Sequence, residues 1–144
     1  TVAREHDQTQ GISYLTIRLP SGRKLYYVDP GVGENRWGNP SITYMGLNDK
    51  NKWARVETYG GKLVENVVQA IARDCLAQAI EHLEDEGFPV VFHVHDEVVI
   101  DIAPFADDKT MLNRVIQIMS TPIPWAPGLP LGADGWVGMF FKKD

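Results

Sequence analysis

Residues 88–102 read FPVVFHVHDEVVIDI, two runs of β-branched and aromatic residues on either side of His95, Asp96 and Glu97. Such runs predict two strands, at 90–94 and 98–102, which leave only three polar residues for the turn between them. A two-residue turn favours Asn-Gly or Gly-X, because one or both central positions need a positive φ. We place Asp96 and Glu97 at these positions, where two like charges adjoin apolar strands. A conflict of this kind between local sequence and stability indicates a functional site.

The segment before this hairpin predicts a long helix from Gly61 to about Glu86. Residues 62–86 contain no glycine or proline, and apolar residues recur there at helical spacing. Gly87 follows where a helix would end. The apolar positions cover a wide arc, which predicts a mostly buried helix. Cys75, the one cysteine of the chain, belongs to that arc, so we expect it in the core and without a disulfide.

The first part of the chain predicts β structure. Apolar and polar residues alternate in segments that predict strands, the first two of them forming a hairpin, at 12–19, 24–28, 41–45 and 53–58. Residues 1–10 are polar, and we expect them to be irregular. Residues 29–40 are rich in Gly and Pro and predict a loop. Its Gly31 and Gly33 lack the third glycine, the lysine and the following helix of a phosphate loop.

The last part of the chain predicts a second helix and a final strand. Asp107 or Asp108 is suited to cap a helix that extends to about Met119. Residues 120–131 are a proline-rich connection, and residues 134–141 predict a hydrophobic strand. The order of strands, long helix, hairpin, helix and strand predicts an α+β fold, with helices packed on one face of an antiparallel sheet.

Composition excludes several classes of protein. The 144 residues suffice for one domain with a core, and no apolar run approaches a membrane span. The net charge of −5 argues against a stand-alone nucleic-acid binder that depends on neutralising phosphates. The chain begins Thr-Val-Ala-Arg, without a Met, so we expect a processed or excised piece.

Charge is unevenly distributed along the chain. No Lys or Arg lies between Asp74 and Asp108, whereas acidic residues accumulate there. Just upstream, four cations are interspersed with two aromatic residues: Lys50, Lys52, Trp53, Arg55, Tyr59 and Lys62. Both runs are compatible with solvated surface. The alternative is an acidic metal pocket beside a basic, aromatic strip that binds a phosphate backbone.

The carboxylates of the hairpin are suitable ligands for a hard cation. Mg²⁺ takes oxygen ligands, so Asp96 and Glu97 are predicted metal ligands beside a substrate phosphate. His95 is placed to donate to that phosphate, whereas His93 is expected to be a strand residue with a satisfied polar edge. A zinc site is disfavoured, because no cysteine is near and the two other histidines are distant in sequence.

A line of polar residues follows the long helix at three- and four-residue steps: Lys62, Asn66, Gln69 and Arg73. This line predicts either a solvent-exposed face or a surface that contacts a nucleic acid. The sequence favours neither interpretation over the other.

The segment FHVHDEVVID, residues 92–101, resembles motif C of family A DNA polymerases, the His-Asp-Glu hairpin of the palm. The preceding segment, TYGGKLVENVVQAIARDCLAQAIEHLEDEGFPVV, is similar to the helix that comes before that hairpin in bacteriophage members. The resemblance is strong over residues 52–102 and continues weakly toward the final strand. His-Asp-Glu alone is a weak signal, but in this flanking context it is a specific one.

The resemblance implies template-directed transfer of a nucleotide from a deoxynucleoside triphosphate to a primer 3′-hydroxyl, with two Mg²⁺ ions. It implies that Asp96 is a metal-binding catalytic aspartate, that Glu97 is an auxiliary acid near the metals, and that His95 holds the primer terminus. The other candidates for contact with DNA, which do not align cleanly with the family, are Thr58, Lys62, Asn66, Gln69 and Arg73.

The resemblance also implies a place within a larger enzyme. Residues 1–144 would be a single C-terminal palm subdomain, with 12–57 as a β-rich insertion and 61–144 as the helix–hairpin–helix–strand core. The implied partners are template–primer DNA, a deoxynucleoside triphosphate and the rest of the polymerase, with no membrane, in the host cytoplasm if a phage encodes it. The second catalytic aspartate and the fingers helix are missing, so we expect the isolated chain to be inactive.

Two other functions remain open. One is a small α+β module that binds nucleic acid without catalysis, and the other is a structural piece that contacts proteins through residues 120–131 and Trp125. Dependence on a bound metal ion distinguishes both of these functions from that of a polymerase. Binding of Mg²⁺ or Mn²⁺ that is lost in Asp96→Asn favours the polymerase, whereas salt-sensitive DNA binding without a metal effect favours the module.

Overall fold

The computed structural model describes residues 1–103 and 107–141, which form seven strands and two helices. The α+β class predicted from the sequence is confirmed. The chain divides into two compact units, unit 1 (Thr1–Ile71) and unit 2 (Ala72–Asp144). The predicted division into an insertion at 12–57 and a core at 61–144 stays a prediction. In the described part of the chain, neither helix combines the length and the apolar composition needed to cross a membrane.

Unit 1 contains a five-stranded antiparallel sheet in which each strand pairs with the next along the chain. The strands are β1 (Val2–Asp7), β2 (Ile12–Arg18), β3 (Lys24–Glu34), β4 (Pro40–Leu47) and β5 (Trp53–Thr58). The predicted hairpin of β2 and β3 and the two later strands are confirmed. The irregular structure predicted for residues 1–10 is wrong, because β1 pairs with β2 from Val2 opposite Ile17 to Asp7 opposite Ile12. Pairing with an apolar neighbour outweighs the polar composition of this segment.

The loop predicted for residues 29–40 is also largely wrong. The register of β3 and β4 shifts after Val28, and β3 then continues to Glu34, so that only residues 35–39 connect the two strands. Asp29 has a φ of 47° at this bulge. Arg55 holds it there, because its guanidinium donates to the Asp29 carbonyl at 3.0 Å and also contacts the Asp29 carboxylate. The breaker residues therefore make a bulge in a long strand.

The first half of helix α1 (Gly60–Asp85) is attached to this sheet by polar contacts. The side-chain amide of Asn66 donates to the Tyr27 hydroxyl at 3.1 Å, and Arg23 donates to the carbonyl of Ala70 at 3.1 Å. The mostly buried helix predicted from its apolar pattern is wrong for this half. Val64 and Val68 have exposed fractions of 62 % and 59 %.

The second half of α1 packs in unit 2, where Leu76, Ala79 and Leu83 are buried. The helix ends as predicted at Gly87, whose φ is 84°. The amide of Gly87 donates to the Glu84 carbonyl at 3.0 Å, and the amide of Phe88 donates to the Leu83 carbonyl at 2.9 Å. This pair of bonds is the Schellman arrangement, which needs a left-handed residue that glycine adopts without strain.

The core of unit 2 joins α1 to the hairpin and the second helix. The hairpin strands are β6 (Val90–Val94) and β7 (Glu97–Ile100), and the helix is α2 (Asp108–Met119). Leu83, Phe88 and Ile118 form the buried centre, and half-buried residues from both strands and α2 surround it. Because one cluster contacts β6, β7 and both helices, it holds the hairpin in place.

Other predictions for unit 2 have mixed outcomes. Asp107 caps α2 as predicted, since its carboxylate accepts from the Thr110 hydroxyl at 2.6 Å and from the Thr110 amide at 3.4 Å. The strand predicted at 134–141 is wrong, because within the described residues this segment forms no strand. The sequence also predicts that Pro104 closes the second strand of the hairpin, but this residue lies outside the described residues.

Candidate functional site

The turn between β6 and β7 contains two central residues, His95 and Asp96. Val94 pairs with Glu97, so Glu97 is the first residue of β7. The sequence-based placement of Asp96 and Glu97 at the centre is therefore wrong by one position. His95 has a φ of 53° and supplies the positive φ that a tight hairpin requires. Histidine is one of the few non-glycine residues that adopt this conformation with some frequency.

The His-Asp-Glu triplet lies at the surface. His95, Asp96 and Glu97 are all exposed, on a hairpin whose strands rest on the core of unit 2. Among the described residues, no three His, Cys, Asp or Glu side chains lie close enough together to hold a metal ion. Mg²⁺ is often bound by only one or two carboxylates together with substrate phosphates and waters. A role of Asp96 and Glu97 as Mg²⁺ ligands stays a prediction, since two carboxylates alone would supply only part of a coordination shell.

His93 and Arg73 form a contact between β6 and α1 within unit 2. The Arg73 Nη1 atom lies 3.3 Å from His93 Nδ1. This agrees with the prediction that His93 is a strand residue with a partner at its polar edge. It also means that Arg73, a candidate for contact with DNA, directs its guanidinium toward the hairpin.

Two more candidates for DNA contact share one carboxylate. Lys62 Nζ lies 3.0 Å from Glu65 Oε2, and Gln69 Nε2 donates to Glu65 Oε1 at 3.3 Å. The hydrogen bond with Glu65 raises the pKa of Lys62 above its ordinary value. Both side chains are exposed, so this part of the helix is a solvated face with internal partners.

The remaining candidates are less accessible. Asn66 is half-buried and bonded to Tyr27, and Thr58 at the end of β5 is 2 % exposed. The Thr58 hydroxyl is buried without a hydrogen-bond partner among the described residues. The structure therefore does not bring Thr58, Lys62 and Asn66 together on one open surface. A role of these residues in binding DNA stays a prediction.

Three acids of the run between residues 74 and 108 have local structural partners, whereas an acidic metal pocket in this run stays a prediction. The Glu84 carboxylate accepts from the Val90 amide at 2.6 Å, at the start of β6. Glu86 pairs with Arg114 of α2 at 2.7 Å, and this hydrogen bond lowers the pKa of Glu86. With Asp107 at the cap of α2, these acids have local structural partners.

In the basic, aromatic strip, two of the cations also have local partners, whereas the aromatic residues are exposed. Arg55 is paired with Asp29, and Lys62 is paired with Glu65. Trp53 and Tyr59 remain 60 % and 66 % exposed. Tyr59 and another aromatic residue, Trp37, line one cavity in unit 1. The sequence analysis assigned no role to Trp37. The sequence did contain one signal for Trp37, namely its position in a short connection rich in Gly and Pro.

Comparison with known proteins finds a DNA polymerase of Bacillus phage SP02, 50 % identical over 131 residues. The match covers 90 % of this chain, and the chain spans 20 % of the length of that relative. Because 131 of the 144 residues are matched, most of the β-rich segment 12–57 is included in the similarity. No protein-family model matches the chain, and no solved structure matches it.

Proposed function

We propose that this chain is part of a family A DNA polymerase of the phage type and contributes one edge of its palm active site. The observation that supports this most directly is the 50 % identity, over 90 % of the chain, to a protein named DNA polymerase. The geometry of the β6–β7 turn is compatible with the proposal. It presents adjacent acids on a tight, exposed hairpin that a packed core holds in place.

The roles of the turn residues follow from their chemistry. Asp96 and Glu97 supply carboxylate oxygens to Mg²⁺, and His95 donates a hydrogen bond to a phosphate of the primer end. The bound metal ions would stabilise charge on the attacking and leaving oxygens of nucleotidyl transfer. The backbone of the hairpin is held in place, because the Val94–Glu97 pair closes the turn and strand residues pack around Leu83 and Ile118.

The substrates and partners belong to the same proposal. They are template–primer DNA, a deoxynucleoside triphosphate and the rest of the polymerase. The described residues provide one pair of acids at the turn and no larger ligand group. The isolated chain is therefore expected to show no primer extension with Mg²⁺ above background.

The test substitutes Asp96 in the polymerase that contains this chain. We expect Asp96→Asn to lower the rate of primer extension by at least about 10²-fold, because a charge that stabilises the transition state is lost. Binding of template–primer DNA, measured by gel shift, should change little.

Asp101 provides the matched control, since it is also an exposed acid and lies just beyond β7. Asp101→Asn should retain primer extension. An Asp96→Asn enzyme that extends primers at the unsubstituted rate would contradict the proposal.

A further inference from the structure

A cavity of about 310 Å³ lies in unit 1, where the connection between β3 and β4 meets the end of β5 and the start of α1. Its volume is at the lower end of the range for small-ligand sites, about 300–1,000 Å³. None of the roles proposed for the turn residues uses it. Its lining combines aromatic, hydroxyl, amide and carboxylate side chains, among them Asn35, Trp37, Ser41, Glu57, Thr58 and Tyr59.

Two large aromatic side chains are exposed at this cavity. Trp37 has an exposed fraction of 69 %, and Tyr59 has one of 66 %. Trp37 lies in an ordered turn, because Asn35 Oδ1 accepts from the amides of Trp37 and Asn39, both at 3.0 Å. An aromatic ring on a fixed backbone loses little conformational freedom on binding, so it is a favourable stacking surface.

The polar lining contains one group whose hydrogen bond is missing. Ser41 donates to the carbonyl of Thr58 at 3.1 Å, whereas the Thr58 hydroxyl is buried without a partner among the described residues. Buried hydroxyls nearly always have a partner, which is commonly a protein group, a water or a ligand. Thr58 lines the cavity, but its Oγ1 atom is closed off from solvent, so a ligand would reach this hydroxyl only if the lining shifts.

The charges around the cavity restrict the kind of ligand that it can bind. The Arg36 guanidinium lies 4.0 Å from the centre of the Trp37 ring, which places a positive charge beside one of the two aromatic residues. Glu57, in contrast, is an exposed acid among the lining residues, and its negative charge disfavours a bare anion there. A planar ring with N–H donors, carrying phosphates at its margin, satisfies both conditions.

We propose that this cavity binds an unpaired base of a nucleic-acid strand against Trp37 and Tyr59, with its edge toward Glu57 and a flanking phosphate near Arg36. Paired bases present only their edges, so the faces needed for stacking are available in single strands. The net charge of −5 favours stacking over phosphate neutralisation, which predicts a shallow dependence of affinity on salt. The proposal does not depend on the metal ligands at the β6–β7 turn.

The test measures binding of the 144-residue chain to a labelled oligodeoxythymidylate of about 12 nucleotides by fluorescence anisotropy. Trp37→Ala and Tyr59→Ala should each weaken binding by about tenfold or more, since each removes a stacking surface. Both side chains are exposed, so neither substitution should unfold the chain, which circular dichroism would verify.

Trp53→Ala is the matched control, because Trp53 is a 60 % exposed tryptophan of the same sheet that does not line the cavity. This variant should bind like the unsubstituted chain, and a blunt DNA duplex should bind far more weakly than the single strand. Equal losses in Trp37→Ala and Trp53→Ala would overturn the proposal. So would equal binding of the duplex, competition by free thymidine monophosphate as strong as by the oligonucleotide, or binding of proline-rich peptides without binding of the strand.

Discussion

Two threonines with the same exposure show how much the contribution of a buried hydroxyl to stability depends on its hydrogen-bond partners. Thr16 and Thr58 are each 2 % exposed. The Thr16 hydroxyl bonds to the Glu5 carboxylate at 3.0 Å, whereas the Thr58 hydroxyl has no partner among the described residues. Burial of a hydroxyl is unfavourable unless a hydrogen bond compensates for it.

The same substitution should therefore have opposite effects at the two positions. Thr58→Val keeps the β-branched shape and removes the unsatisfied hydroxyl, so we expect the free energy of unfolding to rise by about 1 kcal/mol. Thr16→Val removes a bond to a charged group and should lower it by about 1.5–3 kcal/mol. Urea unfolding of both variants measures the difference, and a loss of stability in Thr58→Val as large as that in Thr16→Val would contradict this account.

The candidate turn shows which residue-level features the sequence could predict. The residue types of the His-Asp-Glu triplet marked the site, and the apolar runs marked its strands. The predicted centre of the turn was displaced by one residue, because Glu97 pairs with Val94 and therefore belongs to β7. Register also shifts between Val90 and Phe92. Strand register is set by pairing and packing between strands, which a single local pattern does not specify.

At the scale of elements, apolar periodicity predicted the helices and most strands correctly. It overestimated the burial of α1, since a pattern shows which side chains are apolar and does not show what covers them. Polar β1 was missed because it forms by backbone pairing with β2, and the apolar segment 134–141 forms no strand within the described residues. Secondary structure at these segments depends on pairing partners more than on local propensity.

Helix α1 provides a direct comparison between its two halves. Leu83 is fully buried in the core of unit 2, so Leu83→Ala should lower the free energy of unfolding by about 2–5 kcal/mol. Val68 is 59 % exposed, so Val68→Ala should change it by less than about 0.5 kcal/mol. Thermal or urea unfolding tests both, and a large effect of Val68→Ala would show that this side chain is covered in the isolated chain.

At the scale of the whole molecule, many large apolar side chains are exposed. Val64 and Val68 are examples in unit 1, and Met139 and Phe140 of unit 2 are 97 % and 74 % exposed. Apolar side chains that are exposed singly are normal, whereas contiguous apolar patches mark contacts with other protein. The chain spans 20 % of the length of its phage relative.

The central claim is that Asp96 in the β6–β7 turn and Glu97 at the start of β7 bind divalent cations. Mn²⁺ titration followed by NMR of the 144-residue chain tests it most directly. Bound Mn²⁺ broadens the signals of nearby amides. We predict the strongest broadening at residues 95–97, its loss in Asp96→Asn and its retention in Asp101→Asn. Broadening centred elsewhere, or unchanged by Asp96→Asn, would contradict the claim.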